Sequence, residues 1–395
     1  MKTIVIVGGS LAGVRSAQAL RTAGFGGRLV LLGEEDHRPY DRPPLSKAFL
    51  EGRQDEADLA LLDDDDLADL DLDLRPGTRA ESLDAAGGQV VLAGGAAVPA
   101  DGVVVATGGT ARRLPGTGGI EGVHTLRTLD DARALREDLG RNPRVVIIGA
   151  GFIGAEVAST CRALGLEVTV LDGLELPLAP ALGATIARTC VDLHAEHGTT
   201  LHAGTAVAGL ATSSTATGRR VTGVELGDGR TLPADVVLVG VGIVPNTAWL
   251  EGSGLKVDNG VVTDAGMVTD VPTVVAVGDV ARWTRGAVSH RHEHWTSAGE
   301  QAAVAAGNLL AGTTTTTVAP TGYVWSEQYG RMLQLAGHPS RDDDVEVVHG
   351  AVADRRFVAR YTDAAGTTTG LFAMAEPKMF ARLRRSELPR PGRSA

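Results

Sequence analysis

This 395-residue sequence predicts an α/β protein: two glycine-rich strand–turn–helix–strand units and a C-terminal α+β domain. Three observations carry that expectation. The chain opens on TIVIVGGSLAGVRSAQALR and returns to an apolar run at RLVLLGEE. The pattern recurs as VVIIGAGFIGAEVASTCRALGLEVTVLDG, each landmark shifted by 141 residues: Ile4 and Val145, Gly8 and Gly149, Gly13 and Gly154. Beyond a low-complexity AGTTTTTVAP stretch, five strand-like pieces precede a basic helix, Lys378 to Arg385.

In the first unit, Ile4 to Val7 is short, apolar and β-branched, the pattern of a buried parallel strand. The turn Gly8-Gly9-Ser10-Leu11-Ala12-Gly13 follows, then a helical period from Val14 to Arg21. Gly8 permits the tight turn and Gly13 lets the helix approach the strand, while the helix N-terminus offers free N–H groups to a pyrophosphate. Glu34, 21 residues after Gly13, stands where an acid accepts hydrogen bonds from an adenosine ribose. Ser10 replaces the middle glycine of the fingerprint. In the second unit the fingerprint is complete, Gly149, Gly151 and Gly154, and Asp172 arrives 18 residues later. Two Rossmann-like units in register imply two dinucleotides, one flavin and one nicotinamide.

Between these units, HRPYDRPPLSKAFL carries prolines that rule out a regular helix or central strand through Pro44 and leave a rigid segment presenting Arg42, Ser46 and Lys47. Leu59 to Leu74 contains an acidic run, Asp63 to Asp66, read as a solvated face. Strands are expected at Gln89 to Leu92 and Gly102 to Ala106. The second ends in Thr107-Gly108-Gly109, where a chain can leave one domain for another. Leu126-Arg127-Thr128-Leu129-Asp130-Asp131 reads as a loop and then a helix start. After the second unit come a helix, Leu182 to His197, and strands Val221 to Leu226 and Val236 to Val239 around a hairpin-like Gly227-Asp228-Gly229-Arg230. Gly240-Val241-Gly242 mirrors the first glycine switch. Val274 to Val277 reads as a strand ending in Gly278-Asp279, an acid at the sheet edge where α/β ligands bind. A helix from Thr296 to Leu310 follows Arg291-His292-Glu293-His294-Trp295. His292 and His294 would face apart on it with no third ligand nearby, so no metal site is expected. The resulting division is 1–112 with 243–316, then 113–242, then 317–395, with Ala311 to Pro320 a linker and Pro389 to Ala395 a frayed tail.

A net charge of −11 argues against nucleic-acid binding, which needs a basic face. The longest apolar run, Val236 to Val244, is broken by glycines and far too short to span a bilayer. Met1-Lys2 leads straight into a strand, so no secretory leader is expected. Cys161 and Cys190 fit no redox or metal spacing and read as buried thiols in a reducing cytoplasm.

The order of fingerprint, PPLSK, ATG, LRTLDDA, second fingerprint, GVGIVPN, AVGD, EHW and WSEQYG resembles that of FAD-dependent, NADH-using ferredoxin reductases. These are the putidaredoxin-reductase-like, oxygenase-coupled group with a glutathione-reductase-like fold. The likeness runs from Ile4 to about Gly337. It implies that FAD lies against Ala12, Glu34, Lys47, Arg127, Asp279 and Trp295, with Ala80 adding a backbone contact. Gly8, Ser10, Leu11, Gly13, Arg42, Thr107, Gly108 and Gly278 complete the expected flavin site. Gly149, Gly151, Phe152, Ile153, Gly154, Asp172 and Gly242 are expected around NADH. Phe152 resembles the family's aromatic gate, Lys47 and Glu156 its Lys–Glu pair, and Trp325 its tryptophan on the path to ferredoxin. The implied reaction passes hydride from NADH to FAD, then single electrons to an iron–sulfur ferredoxin that supplies a haem or Rieske oxygenase. Asp172 favours a free 2′-hydroxyl, and Gly173-Leu174-Glu175 has no arginine for a 2′-phosphate, so NADH is expected over NADPH.

Arg38, Arg42 and the Arg382-Arg384-Arg385 cluster are candidate docking charges for an acidic ferredoxin. The family's Asn-Arg-Pro-type segment is replaced here by Ala375-Glu376-Pro377. Two other readings stand beside this one: a ferredoxin-independent NADH oxidase or nitrite-reductase-type flavoprotein, and a redox-responsive interaction protein like apoptosis-inducing factor. The lack of any cysteine before Cys161 counts against thiol chemistry at the flavin. The oligomeric state is open between monomer and homodimer.

Overall fold

The computed structural model describes residues 1–286 and 288–388. Two five-stranded parallel sheets share one order over four strands, and the fifth, at the edge, comes last in the chain in the first sheet and first in the second. In the first, Val274–Ala276, Gly102–Val105, Thr3–Val7, Arg28–Leu32 and Leu72–Arg75 lie side by side. In the second the order is Val123–His124, Val236–Val239, Arg144–Ile148, Glu167–Leu171 and Thr200–His202. The central strands are buried on both faces, which is why they read as unbroken apolar runs. In each sheet the chain leaves the middle strand in one direction and later returns on its other side. That reversal opens a crevice at the carboxyl ends of the strands, beside each glycine turn.

The duplication runs deeper than the fingerprints. A three-stranded antiparallel sheet, Ala80–Asp84, Gln89–Leu92 and Ala97–Pro99, interrupts the first unit between Leu72–Arg75 and Gly102–Val105. Val207–Ser214, Arg219–Leu226 and Thr231–Pro233 do the same in the second, with Ile120–Glu121 added parallel to Arg219–Leu226 as a fourth strand. This corrects the hairpin expected between Val221–Leu226 and Val236–Val239. The Gly227–Arg230 turn joins Arg219–Leu226 to the short Thr231–Pro233, while the fully buried Val236–Val239 belongs to the parallel sheet. The end of the acidic stretch also held an unrecognised strand. Asp64–Asp69 is an exposed helix capped by Asp63, and the alternating Leu-Asp-Leu-Arg of Leu72–Arg75 is a sheet edge.

The two glycine switches meet. Gly109–Ala111 pairs antiparallel with Ile243–Pro245, so both crossings between the parallel sheets form one two-stranded strap. Gly108 and Gly242, just ahead of these strands, take φ of 60° and 93°, a conformation glycine adopts without steric penalty.

The C-terminal sheet is antiparallel, in the order Val324–Gln328, Arg331–Gly337, Thr368–Met374, Arg356–Thr362 and Asp344–Ala351. One face buries Phe380 of the helix Pro377–Glu387 against Ala336, Val358, Leu371 and Ala373. The other packs Phe357, Tyr361, Phe372 and Met374 against Leu182, Ile186, Cys190 and Leu193 of Ala179–Glu196. The Ala311–Pro320 stretch, expected as a linker, has neither helix nor strand beyond Ala311, the end of the preceding helix, yet is pinned in place. The fully buried Asn308 side chain accepts from Thr315 N at 2.8 Å and donates to Thr316 O at 2.7 Å, and Val318 is buried. The tail from Pro389 lies outside the described residues. Among the described residues no helix is long and apolar enough to cross a membrane.

Candidate dinucleotide and redox site

Both fingerprints close by the same backbone contact. A Cβ on Gly13 would sit 2.0 Å from Gly8 O, and one on Gly154 would sit 1.9 Å from Gly149 O. Gly8 and Gly149 turn at φ of 126° and 107°, where a Cβ would strike Ala106 O and Gly240 O on the neighbouring strand. Gly13 and Gly154 therefore serve the loop's own packing, and Gly8 and Gly149 its close approach to the neighbouring chain. Gly151 differs: among the described residues, its chain neighbours aside, nothing lies within 4 Å of where its Cβ would be. The space above the second loop is open, and the helix Phe152–Ala163 points its N-terminus there.

The matching residue in the first unit is Ser10, and its hydroxyl is used. Arg42 Nε donates to Ser10 Oγ at 3.2 Å, Arg42 Nη2 pairs with Glu35 at 2.7 Å, and Arg42 Nη1 donates to the Arg127 carbonyl. Arg127 in turn pairs with Asp279 at 2.8 Å and donates to Gly109 O at 3.0 Å. Tyr40 donates to Glu35 at 2.5 Å and accepts from Leu129 N, and burial holds its phenol far above the ordinary range. This lattice frames two adjoining cavities. One of about 690 Å³ is lined by Gly8, Ser10, Glu34, Ala80, Thr107, Gly108 and the Asn246–Trp249 loop. The other, about 480 Å³, is lined from the first unit by Ser10, Leu11 and Ala12 and from the second by Gly151, Phe152 and Ile153. Ser10, Arg42, Ala106, Gly108 and Arg127 border both cavities.

The smaller cavity also holds Lys47, Glu156, Gly242, Gly278, Asp279, Trp295 and Trp325. Lys47 Nζ lies 2.6 Å from Glu156 Oε2, with the carboxylate only 3% exposed. Ser46 Oγ donates to the same oxygen at 2.5 Å, and Ser326 Oγ donates to Oε1 at 2.7 Å. Glu156 comes from the second unit, Lys47 and Ser46 from the proline segment and Ser326 from the C-terminal sheet. Trp295 Nε1 donates to Asp41 at 2.7 Å, and its ring meets Trp325 edge-on at 5.6 Å. Trp325 stacks on Tyr323 at 6.0 Å, and Arg384 lies 4.6 Å over the Tyr323 ring.

Some expected residues are placed or engaged differently. Asp172 does not line either cavity: its two oxygens accept from Ala150 N at 2.7 Å and Leu174 N at 2.8 Å. Glu34 is 65% exposed beside Arg79 at 3.3 Å. Arg42 is committed to Glu35, which removes it as a docking charge, while Arg382 and Arg385 are exposed. His292 and His294 precede the helix Trp295–Ala311 rather than lying on it. His292 is buried, and burial lowers its pKa to about 4. Among the described residues no group of three or more His, Cys, Asp or Glu side chains could hold a metal. Cys161 and Cys190 are free and buried, their thiols pushed up to about 12, and neither lines the cavity. The sequence reading missed Glu35, Ser326 and the Trp249 wall. Ser326 sat inside WSEQYG, singled out only for its tryptophan.

The comparisons agree with this architecture. A family model described as pyridine nucleotide-disulphide oxidoreductase matches residues 2–302, and one described as reductase C-terminal matches 323–386. The chain belongs to the pyridine nucleotide-disulphide oxidoreductase family. It is 38% identical to rhodocoxin reductase of Rhodococcus erythropolis, over 89% of this chain and 81% of that protein. It is 36% identical to the biphenyl dioxygenase system ferredoxin–NAD(+) reductase component of Paraburkholderia xenovorans, over 87% and 83%. A covalent putidaredoxin reductase–putidaredoxin complex superimposes with a TM-score of 0.90 at 34% identity, covering 98% of this chain and 94% of that one.

The family implies FAD and NAD(H), and the residues fit both. The adjoining cavities offer an elongated site that begins at polar groups and passes a helix N-terminus into an apolar chamber. The open Gly151 loop faces that chamber from the second unit.

Proposed function

We propose that this protein is an FAD-dependent NADH:ferredoxin reductase that supplies single electrons to an iron–sulfur ferredoxin, and through it to a haem or Rieske oxygenase. The observation that carries the reading is that both fingerprint loops open onto one chamber, so a flavin held by the first unit and a nicotinamide held by the second would meet there. FAD, when bound, supplies the switch from two-electron to one-electron chemistry. The domain division 1–112 with 243–316, 113–242 and 317–395 is part of this reading, supported by the grouping of strands into three main sheets.

The chain's own residues do the rest. Gly8, Leu11, Ala12 and the helix N-terminus behind them would hold the pyrophosphate. Glu34, Ala80 and Thr107 would line the adenosine end, with Arg42, Arg127, Gly108, Gly278 and Asp279 along the middle. Lys47, fixed by Glu156, places a positive charge at the chamber wall, where it stabilises negative charge arriving during reduction. Phe152 and Ile153 would cover the face that NADH approaches and exclude water from it. Asp172 braces the second glycine loop through Ala150 N, and its carboxylate would repel a 2′-phosphate, which favours NADH. Trp325, between Trp295 and Tyr323, offers an aromatic route outward toward exposed Arg382 and Arg385, charges that suit an acidic ferredoxin. The thiol-free chamber supports electron exit to a partner, and two buried thiols suit a reducing cytoplasm.

The test mixes FAD-loaded protein with NADH, a panel of [2Fe–2S] ferredoxins and cytochrome c as final acceptor. Cytochrome reduction that depends on ferredoxin and runs faster with NADH than with NADPH supports the reading. Oxygen consumption indifferent to ferredoxin supports an oxidase instead.

A further inference from the structure

Ser326 has no part in the chemistry proposed above, yet it holds the one Glu156 oxygen that Lys47 does not. Its hydroxyl donates to Glu156 Oε1 at 2.7 Å, while Lys47 and Ser46 both act on Oε2. Gln328 Nε2 donates to Ser326 Oγ at 3.0 Å. An ionised carboxylate only accepts, so with its oxygen occupied by the Gln328 amide, the single Ser326 proton is aimed at Glu156. All three groups are buried, with exposures of 3%, 1% and 0% for Glu156, Ser326 and Gln328. Gln328 Oε1 has no partner among the described residues. A fully buried amide with an orphaned oxygen is unfavourable, and its one side-chain bond is the one that orients Ser326.

The same strand is laced to the same helix further along. Tyr329 N donates to Ser159 Oγ at 2.7 Å, one turn beyond Glu156 on Phe152–Ala163. The C-terminal strand therefore lies against the second fingerprint helix at a fixed height. The last side-chain torsion of a glutamate is broad and roughly two-fold. A carboxylate tied at one oxygen can turn about it, whereas one tied at both has its plane set.

We propose that Ser326, oriented by Gln328, is a positioning residue that sets the carboxylate plane of Glu156 and through it the place of the Lys47 ammonium. The C-terminal domain thereby supplies part of the redox site as well as a wall beside it. This inference rests on the reductase reading.

The experiment uses the full chain loaded with FAD, as wild type, Ser326→Ala, Ser326→Thr and Ser326→Cys. Flavin bleaching by NADH is followed by stopped flow, the dissociation constant for NADH is taken from the same series, and the flavin midpoint potential is measured against a reference dye. In Ser326→Ala the limiting rate falls about tenfold, as expected for a lost hydrogen bond to a charged group. NADH affinity stays within about twofold, since Ser326 does not line the chamber. The midpoint potential moves negative because the ammonium is less well placed. Ser326→Thr restores rate and potential. Ser326→Cys keeps the packing with a weaker donor and falls between. Ser326→Ala or Ser326→Cys with wild-type rate and potential, or a threonine variant that restores neither, overturns the proposal. A wild-type chain that NADH does not bleach overturns the reductase reading itself and this inference with it.

Discussion

Replacing Lys47 by methionine isolates the ion pair at the meeting point of three domains. Methionine keeps the aliphatic stem and removes the ammonium 2.6 Å from Glu156. Breaking a buried pair typically destabilises by about 3–5 kcal/mol because it strands a charge away from water. Here the lysine is 17% exposed, and the hydroxyls of Ser46 and Ser326 still donate to the carboxylate. Both reduce the penalty, to about 2–3 kcal/mol. Lys47→Met, Glu156→Gln and the double variant make a cycle, read by urea unfolding with far-UV circular dichroism and flavin release as parallel probes. The double variant is expected to be less destabilised than the sum of the singles, by at least about 1 kcal/mol. In stopped flow, Lys47→Met also slows flavin reduction by NADH. A coupling within about 0.3 kcal/mol of zero would refute the claim that the two groups act as a buried pair.

Three further outcomes follow from particular residues. Gly154→Ala drives a Cβ into Gly149 O and should abolish NADH binding while the protein stays yellow; calorimetric titration with NADH against flavin absorbance separates the two effects. Ala375 sits at φ 53°, a left-handed conformation unfavourable for alanine, so Ala375→Asn should stabilise by about 0.5–1 kcal/mol, read as a raised Tm. His194 and His292 are held neutral by burial, with pKa values of about 4. The unfolded chain binds those protons near the ordinary pH of 6.5, so stability is full above about 6.5 and is lost as pH falls toward 4. His194→Gln should flatten that slope by up to about 3 kcal/mol across the window, and an unchanged urea midpoint profile would refute it.

The architecture was legible because its signals are local. Gly13 and Gly154 are required by contacts within their own loops, and Gly8 and Gly149 by their positive φ and the close approach of Ala106 and Gly240, so the local glycine spacing declares the turn. Strands buried on both faces must be apolar throughout, which marked Ile4 to Val7 and Val236 to Val239. Where burial is partial the pattern weakened, and the edge strand Leu72–Arg75 and the meander partner Val207–Ser214 went unseen.

What the sequence determined by itself was the pair of dinucleotide units, their order and the short motifs that carry the chemistry, since each is a run of neighbouring residues. Only the tertiary structure decided what those motifs share. Ser46, Lys47, Glu156 and Ser326 are separated by up to 280 positions and meet on one carboxylate, and Ser10 finds its partner in Arg42. Three-domain packing sets these contacts, because a buried carboxylate must collect its donors from whichever chain segments the fold brings beside it.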